Sequence, residues 1–247
     1  PTPITAWIAT GSKLAGFVAL LRIFSLPGLS LEPFGEYWQA GFWILAMLTM
    51  IVGNACALVQ SDIKRMLAYS SIAHGGYLSM AFVAHNSIGR EALLFYLLAY
   101  LFMTIGAFGV VIAVSKKGEE CQTLQDFSGL AKQHPWLAGM MSLFMLSLAG
   151  MPMTAGFFGK LWLFGAAIQA QYLALAIVGI VTTLLSFYYY LRVIVFMYMR
   201  EADEENPFDP LSLFNTVAIG VSAVGVVAFG IFPNALWKTI VASTGSL

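Results

Sequence analysis

Two lysines, Lys13 and Lys160, lie within long apolar runs that predict membrane-spanning helices. At about 1.5 Å of rise per residue, each lies roughly 14 Å from the nearer end of its predicted helix, near the middle of a ~30 Å hydrocarbon layer. A lysine at that depth costs at least ~2.5–3.5 kcal/mol on insertion scales, so such residues usually face a bundle interior and mark ion or proton pathways. Because burial disfavours the charged amine, a buried lysine can release and regain a proton.

The carboxylates that would neutralise such a lysine are absent from the predicted spans. All twelve Asp and Glu residues fall in segments that read as loops. We therefore expect neither lysine to have a carboxylate partner within this chain. We interpret both lysines as proton carriers whose charge is set by other groups.

Polar side chains recur at helical spacing in the predicted spans, and His74 is the most informative of them. Ser70, His74 and Tyr77 are three or four residues apart, which places them on one helical face. Similar sets occur in two further spans, namely Tyr100 with Thr104, and Thr182 with Ser186 and Tyr190. Ordinary interhelical hydrogen bonding, worth ~0.6 kcal/mol on average, accounts for the hydroxyls alone. Imidazole titrates near neutral pH, so we interpret His74 as a possible proton relay, with a hydrogen-bonded structural histidine as the alternative.

Lys64 lies in the segment Gln60–Arg65, at the boundary between two predicted spans. A lysine there is explained by snorkelling, in which the apolar stem is buried and the ammonium reaches the membrane surface. The alternative is that Lys64 admits protons to the polar stripe, which makes it a second possible relay.

The composition predicts a membrane protein. Hydrophobic residues make up 60% of the chain and charged residues 10%, with a mean hydropathy of +0.82, whereas soluble domains are about 25% charged. The net charge is zero, so nothing indicates a nucleic-acid partner. Cys56 and Cys121 lack the spacing of a metal or redox motif, and the sequence has no glycine-rich dinucleotide loop. We therefore expect no cofactor or metal in this chain, and we expect the lipid bilayer to surround it.

Seven predicted spans form one membrane domain, residues 1–247, of the all-α class. They cover approximately residues 4–24, 38–60, 66–85, 92–114, 136–169, 172–199 and 211–232. The fifth is too long for one straight crossing and contains Pro152 within the segment Gly150–Gly156. Irregular backbone at membrane depth survives where it is buried or lines a wet cavity, and paired half-helices build ion sites in transporters. We therefore predict a polytopic helix bundle with one helix broken in mid-membrane; the alternative is a simple proline kink.

Loop charges predict the orientation of the bundle. With seven spans, the side holding residue 1 carries Lys64, Arg65, Lys116, Lys117, Lys132 and Arg200, and the other side carries Arg22, Arg90 and Lys238. Six basic residues against three favour the first side as cytoplasmic, with the C-terminus outside.

Four long segments carry a family resemblance, namely Pro1–Lys13, Asp62–His74, Gly150–Lys160 and Ser186–Arg192. They resemble, in the same order, the antiporter-like membrane subunits of respiratory complex I, and the resemblance covers essentially the whole chain. It implies that Lys13 is the connecting lysine of the family's eighth helix and that Lys160 is the lysine of its broken twelfth helix. It also implies that this chain is the C-terminal part of a longer subunit. Near relatives in multisubunit sodium/proton antiporters differ, because they carry a glutamate at the position of Lys160.

The resemblance implies a subunit of a proton-translocating NADH:quinone oxidoreductase that holds no redox centre itself. FMN, iron–sulfur clusters and the sites for quinone and NADH are then expected in partner subunits. Other membrane subunits of the complex are expected beside this chain, in a bacterial inner membrane. Two alternatives stay open: a subunit of a multisubunit sodium/proton antiporter, and a structural or assembly subunit that moves no ion. Photosynthetic, hydrogenase and cofactor-F420-type relatives also stay open.

Overall fold

The computed structural model describes residues 2–25, 34–115, 123–201 and 212–244, and the regular elements in these ranges are helices. They are α1 (Thr2–Trp7), α2 (Lys13–Phe24), α3 (Phe34–Leu58), α4 (Ile63–Ala84), α5 (Ser87–Val114), α6 (Leu130–Gln133), α7 (Pro135–Ala149), α8 (Ala155–Gln169), α9 (Leu173–Met199), α10 (Leu213–Ile231) and α11 (Pro233–Thr244). A π-helical turn, Ile8–Ser12, joins α1 to α2, and a 3₁₀ turn, Gln125–Phe127, precedes α6. The predicted all-α class is confirmed.

Five helical segments are long and apolar enough to cross a membrane. They are Thr2–Phe24, Gly35–Leu58, Ser87–Val114, Leu173–Met199 and Leu213–Ile231. α4 has 22 residues but contains many polar side chains, and α7 and α8 have 15 residues each, too few to cross a ~30 Å layer individually. The polytopic membrane class is therefore confirmed. The count of seven crossings, which adds α4 and the α7–α8 pair, stays a prediction.

Side-chain caps determine where α4 and α5 begin. The Asp62 carboxylate accepts hydrogen bonds from the backbone N–H groups of Lys64 at 2.8 Å and Arg65 at 3.0 Å. Asn86 Oδ1 accepts one from the Gly89 N–H at 2.7 Å. Such caps satisfy donors that the first helical turn leaves unpaired. They start the helices at residues 63 and 87, earlier than the predicted positions 66 and 92.

The prediction that every carboxylate lies in a loop is wrong for Glu36 and Glu91. Glu36 lies in the first turn of α3, and Glu91 lies in the second turn of α5. Both are near a helix N-terminus, where the macrodipole favours negative charge. Glu36 is exposed and Glu91 is half-buried, so the correction places no carboxylate at mid-membrane depth.

The fifth predicted span consists of two separate half-helices, α7 and α8, and the proline-kink alternative is wrong. Gly150 ends α7 in the left-handed conformation, with φ of 93°, which glycine adopts without side-chain strain. Thr154, before α8, is extended, with φ of −113° and ψ of 159°. A Cβ atom on Gly156 would lie 1.9 Å from the Ser147 carbonyl oxygen. The missing side chain of Gly156 therefore allows the two half-helices to overlap.

α5 is the central helix of the bundle. In its most apolar stretch 72% of the residues are buried, against 11% in Thr2–Phe24. α5 packs against α4, α7, α8, α10 and α11, and α4 packs against α3, α5 and α8. Ser70, His74 and Tyr77 of α4 are therefore buried within protein.

α11 is not among the elements predicted from the sequence. It follows α10 after a single residue, Phe232. The ring of Trp237 lies 4.1 Å from the ring of Trp162 in α8, and Ile240 is buried. α11 therefore packs against the second half-helix of the broken span.

Cysteine labelling tests the predicted orientation. Gln125 and Asn234 are exposed, and the predicted topology places them on opposite sides of the membrane. In a Cys56→Ser, Cys121→Ser background, we expect Gln125→Cys to react with a membrane-impermeant maleimide from the cytoplasmic side alone, because the basic loops favour that side. Asn234→Cys should react from the other side alone. The reverse pattern contradicts the orientation.

Candidate functional site

Lys13 follows directly after the π-helical turn Ile8–Ser12. Such turns are rare and occur frequently at functional sites. The half-buried ammonium donates to the Ser71 carbonyl oxygen, to Ser71 Oγ at 2.6 Å and to Tyr100 Oη at 3.5 Å. It also lies 4.6 Å from the centroid of the Tyr100 ring. Lys13 is therefore held against α4 and α5.

Lys160 is 3% exposed and lies in α8, just after the break. Its Nζ donates to the carbonyl oxygens of Leu148 at 2.8 Å and Ala149 at 3.1 Å, at the end of α7. These carbonyls have no partner further along α7, and the C-terminal end of a helix carries partial negative charge. The ammonium also lies 5.0 Å from the centroid of the Tyr77 ring. The break thus supplies the acceptors for the buried lysine.

His74 is 1% exposed, and both of its ring nitrogens contact tyrosine hydroxyls. Nδ1 lies 2.6 Å from Tyr96 Oη, and Nε2 lies 3.1 Å from Tyr190 Oη. Tyr190 Oη is also hydrogen-bonded to Ser70 Oγ. A neutral imidazole has one donor and one acceptor nitrogen, so one hydroxyl donates to the ring and the other accepts from it. Each contact joins His74 to a group that can exchange a proton.

Two further tyrosine rings connect His74 with both lysines. The centroid of the His74 ring lies 5.1 Å from that of Tyr100 and 5.6 Å from that of Tyr77. These are the rings that also contact Lys13 and Lys160. We call the row Lys13, Tyr100, His74, Tyr77 and Lys160 the lysine–histidine axis. The structure thus brings together three of the four predicted site residues.

Lys64, the fourth, lies apart from the lysine–histidine axis. It is half-buried in the first turn of α4, seven residues before Ser71. Seven residues make about two helical turns, so the two side chains share a face and are about 10 Å apart along the helix. This position suits both snorkelling and entry of protons towards Lys13. A relay role for Lys64 stays a prediction.

Neither lysine of the axis forms an ion pair with a carboxylate in the described ranges. Ion pairs in these ranges include Lys132 with Glu201 at 3.8 Å, both exposed, and exposed Arg65 with half-buried Asp62 at 4.0 Å. Carbonyl oxygens, hydroxyls and aromatic ring faces surround the two ammonium groups instead, and a ring face attracts a cation electrostatically. Across the same ranges, no group of three His, Cys, Asp or Glu side chains suits a metal ion.

Four residues of the site are not predicted from the sequence: Asn54, Ser71, Tyr96 and Tyr189. Asn54 is 1% exposed in α3, donates to Tyr77 Oη at 3.3 Å and accepts from Tyr189 Oη at 3.0 Å. The sequence does contain a signal that identifies Asn54 as a site residue: it is an amide inside an apolar run, where polar groups are costly. Tyr96 precedes Tyr100 by one helical turn, which places both on one face of α5. Tyr189 has no comparable signal.

The fold and the lysine–histidine axis define a class of protein: polytopic helical membrane proteins with a buried cation at a broken helix. The family described as "NADH:quinone oxidoreductase/Mrp antiporter, TM" matches residues 1–186. The chain belongs to this family. The predicted resemblance to antiporter-like subunits is therefore confirmed.

Curated relatives carry the name NADH-quinone oxidoreductase subunit N. The subunit of Trichlorobacter lovleyi is 48% identical, over 95% of this chain and 47% of its own length. Subunit N 1 of Solibacter usitatus is 43% identical, over 95% of this chain and 48% of its own length. The chain thus spans about half the length of the curated relatives it matches.

Solved structures share the fold. A chain of respiratory complex I from Thermus thermophilus with bound aureothin is 35% identical, with a TM-score of 0.82 over 97% of this chain and 52% of that chain. A chain of the Mrp complex from Dietzia sp. is 22% identical, with a TM-score of 0.76 over 92% of this chain and 50% of that chain. The second likeness shows the fold alone.

Gly156→Ala should prevent the close approach of α7 and α8. The new Cβ would lie 1.9 Å from the Ser147 carbonyl oxygen, a backbone atom that moves only with its helix. We expect a destabilisation of roughly 3 kcal/mol or more, on the scale of strong overpacking, and little folded protein in the membrane.

Gly165→Ala is the matched control in the same helix. Nothing lies within 4 Å of its added Cβ, and alanine at an open helical position is favoured over glycine by roughly 0.5–1 kcal/mol. Thermal unfolding of the purified variants compares the two. Equal stability of both variants would contradict the overlap of the half-helices.

Proposed function

We propose that this chain contributes a proton pathway to subunit N of a proton-translocating NADH–quinone oxidoreductase. The observation that supports the proposal is the lysine–histidine axis, in which His74 lies between the tyrosine rings that contact Lys13 and Lys160. Buried ionisable side chains in membrane helices commonly form proton relays. The relatives named NADH-quinone oxidoreductase subunit N indicate which kind of complex is proposed.

In this mechanism each lysine alternates between a charged and a neutral form. Charged Lys160 donates to the Leu148 and Ala149 carbonyl oxygens, and neutral Lys160 binds them less strongly because a charge-assisted hydrogen bond is the stronger one. A proton that leaves Lys13 passes to Ser71 Oγ or Tyr100 Oη as that hydroxyl releases its own proton to water on the axis. Water along the axis carries protons between groups that do not touch, since irregular backbone at this depth can line a wet cavity.

The redox reaction belongs to partner subunits in this proposal. FMN and iron–sulfur clusters there carry electrons from NADH to the quinone. Other membrane subunits of the complex and the lipids of a bacterial inner membrane surround the chain. Exposed apolar side chains of α9 and α10, such as Leu184 and Val224, suit contact with lipid or with neighbouring helices.

A subunit of a sodium/proton antiporter is the second candidate. The fold shared with the Mrp complex favours it, and half-helix C-termini with unwound carbonyls coordinate Na⁺ in some transporters. Purification separates the two candidates. A complex with flavin and iron–sulfur subunits supports the oxidoreductase, and a flavin-free complex supports the antiporter.

Lys13→Met keeps the side-chain length and removes the charge. The apolar side chain should insert at least as well as lysine, so we expect the complex to assemble. Proton pumping per quinone reduced should fall roughly tenfold or more, the scale of losing an acid–base group. Inverted membrane vesicles and native gels measure pumping and assembly. Lys238→Met, at an exposed position of α11, is the control, and failure of Lys13→Met to assemble would give Lys13 a structural role.

Lys160→Arg distinguishes a proton carrier from a fixed charge. Arginine keeps a cation of similar length but does not release its proton. We expect Lys160→Arg to reduce pumping as strongly as Lys160→Met, by roughly tenfold or more in the same vesicles. A static charge would instead be preserved by arginine and lost with methionine. Full pumping by the arginine variant would remove Lys160 as a proton carrier.

A further inference from the structure

The hydroxyl of Tyr77 is fully engaged away from the ionisable groups of the axis. Tyr77 Oη accepts a hydrogen bond from Asn54 Nδ2 at 3.3 Å and donates one to Thr182 Oγ1 at 3.2 Å. The Thr182 hydroxyl in turn donates to the Val178 carbonyl oxygen at 2.7 Å. A phenol has one proton to donate, and this series of donors ends at a backbone carbonyl of α9, which passes no proton on.

The ring of Tyr77, in contrast, contacts ionisable groups on two sides. Lys160 Nζ lies 5.0 Å from the ring centroid. The His74 ring meets it edge to face, with centroids 5.6 Å apart and planes at 81°. Tyr77 is 1% exposed, so packing restrains the ring independently of its hydroxyl.

Tyr100 provides a comparison within the same axis. Its hydroxyl oxygen lies 3.5 Å from Lys13 Nζ, and its ring centroid lies 4.6 Å from the same atom. Lys13 therefore contacts both the hydroxyl and the ring of its tyrosine. Lys160, in contrast, contacts the ring of Tyr77 and not its hydroxyl.

We propose that Tyr77 is a positioning residue for Lys160 that stabilises the ammonium through its ring face, and that its hydroxyl is a structural anchor. This inference rests on the proposed role of Lys160 as a proton carrier. A ring face attracts a cation more strongly when both are removed from water. It makes no hydrogen bond to the amine, so it stabilises the charged form and still allows the proton to leave.

The helices that pack against α8 carry further titratable or charged side chains. They are Lys64, Arg65, Tyr69, His74 and Tyr77 on α4, Arg90, Glu91, Tyr96 and Tyr100 on α5, Tyr188, Tyr189, Tyr190, Arg192 and Tyr198 on α9, and Lys238 on α11. Tyr96 and Tyr190 bind His74, and Arg192 donates to the Leu58 carbonyl at the end of α3. α7 and α10 contain no titratable side chain. Removing the ring of Tyr77 therefore tests one contribution to the environment of Lys160, namely the attraction between the ring face and the ammonium.

Two substitutions of Tyr77 separate the ring from the hydroxyl. Tyr77→Phe keeps the ring, and Tyr77→Leu removes it. Both should lower thermal stability, because Asn54 loses an acceptor. We expect Tyr77→Phe to pump within about twofold of the parent with an unchanged pH profile, since phenylalanine also binds cations. Tyr188→Phe and Tyr188→Leu, at an exposed position of α9, are the matched controls.

The ring variant should change the pH profile in a defined direction. Without the ring the charged form of Lys160 is less stable, so the lysine loses its proton at lower pH. The alkaline limb of pumping per quinone reduced should therefore move towards acid by roughly one pH unit in Tyr77→Leu. Tyr77→Met, which fills space flexibly, replaces the leucine variant if that one fails to assemble.

Each outcome in the same vesicles has one meaning. The acid shift in the ring-deleted variant, with a parental profile in Tyr77→Phe, supports the inference. Loss of pumping in Tyr77→Phe as severe as in Tyr77→Leu overturns it, because the hydroxyl would then be a relay. An unshifted profile in Tyr77→Leu overturns it as well, while loss of pumping in Lys160→Met leaves the proposed function standing. Full pumping by Lys160→Met would defeat the proposed function itself.

Discussion

The hydrogen bonds from Lys160 to the end of α7 are the interaction on which the rest of the arrangement depends. In hydrocarbon a carbonyl oxygen without a donor is costly, and so is an ammonium without acceptors. The break leaves the Leu148 and Ala149 carbonyls without helical partners, and Lys160 donates to both. Gly150 permits the close approach, since a Cβ atom there would lie 3.3 Å from Lys160 Cδ. The break and the lysine therefore stabilise each other, because the break supplies the acceptors and the lysine supplies the donors.

The same requirement explains why α4 is the least typical membrane helix of the bundle. Its polar side chains need partners, and Ser71, His74 and Tyr77 among them have partners on other helices. Ser71 binds Lys13 at the start of α2, His74 binds Tyr96 on α5 and Tyr190 on α9, and Tyr77 binds Asn54 on α3 and Thr182 on α9. Hydrogen bonds between membrane helices are individually weak, about 0.6 kcal/mol on average. Together they fix the rotation of α4 about its axis, and this rotation places the His74 ring between Tyr77 and Tyr100.

The sequence was sufficient for those features that depend on one helix at a time. The spacing of Ser70, His74 and Tyr77 and the break at Pro152 follow from helical period and backbone chemistry. The depth of Lys13 and Lys160 in the membrane stays a prediction from helical rise. The partners of these residues depend on how helices far apart in sequence are rotated against each other. Periodicity within α5 gives no indication that Tyr96 reaches His74, and the apolar run of α3 does not show that Asn54 reaches Tyr77. The predicted starts of α4 and α5 are wrong for a local reason. Asp62 and Asn86 cap first turns that lie outside the hydrophobic pattern.

Under the proposed function, the absence of carboxylates beside the axis in the described ranges has an electrostatic consequence. Two unit charges ~10 Å apart at an effective dielectric constant of about 20 repel by roughly 1.7 kcal/mol, more than a tenfold effect on proton affinity. A carboxylate next to one lysine would offset this repulsion and hold that proton in place. Carbonyl oxygens and ring faces attract a cation less strongly than a carboxylate does. A positive charge on Lys13 therefore repels a proton on His74, and a positive charge on His74 repels a proton on Lys160. Protonation at one end of the axis therefore favours proton release at the next group, which gives the transfers an order without a moving part.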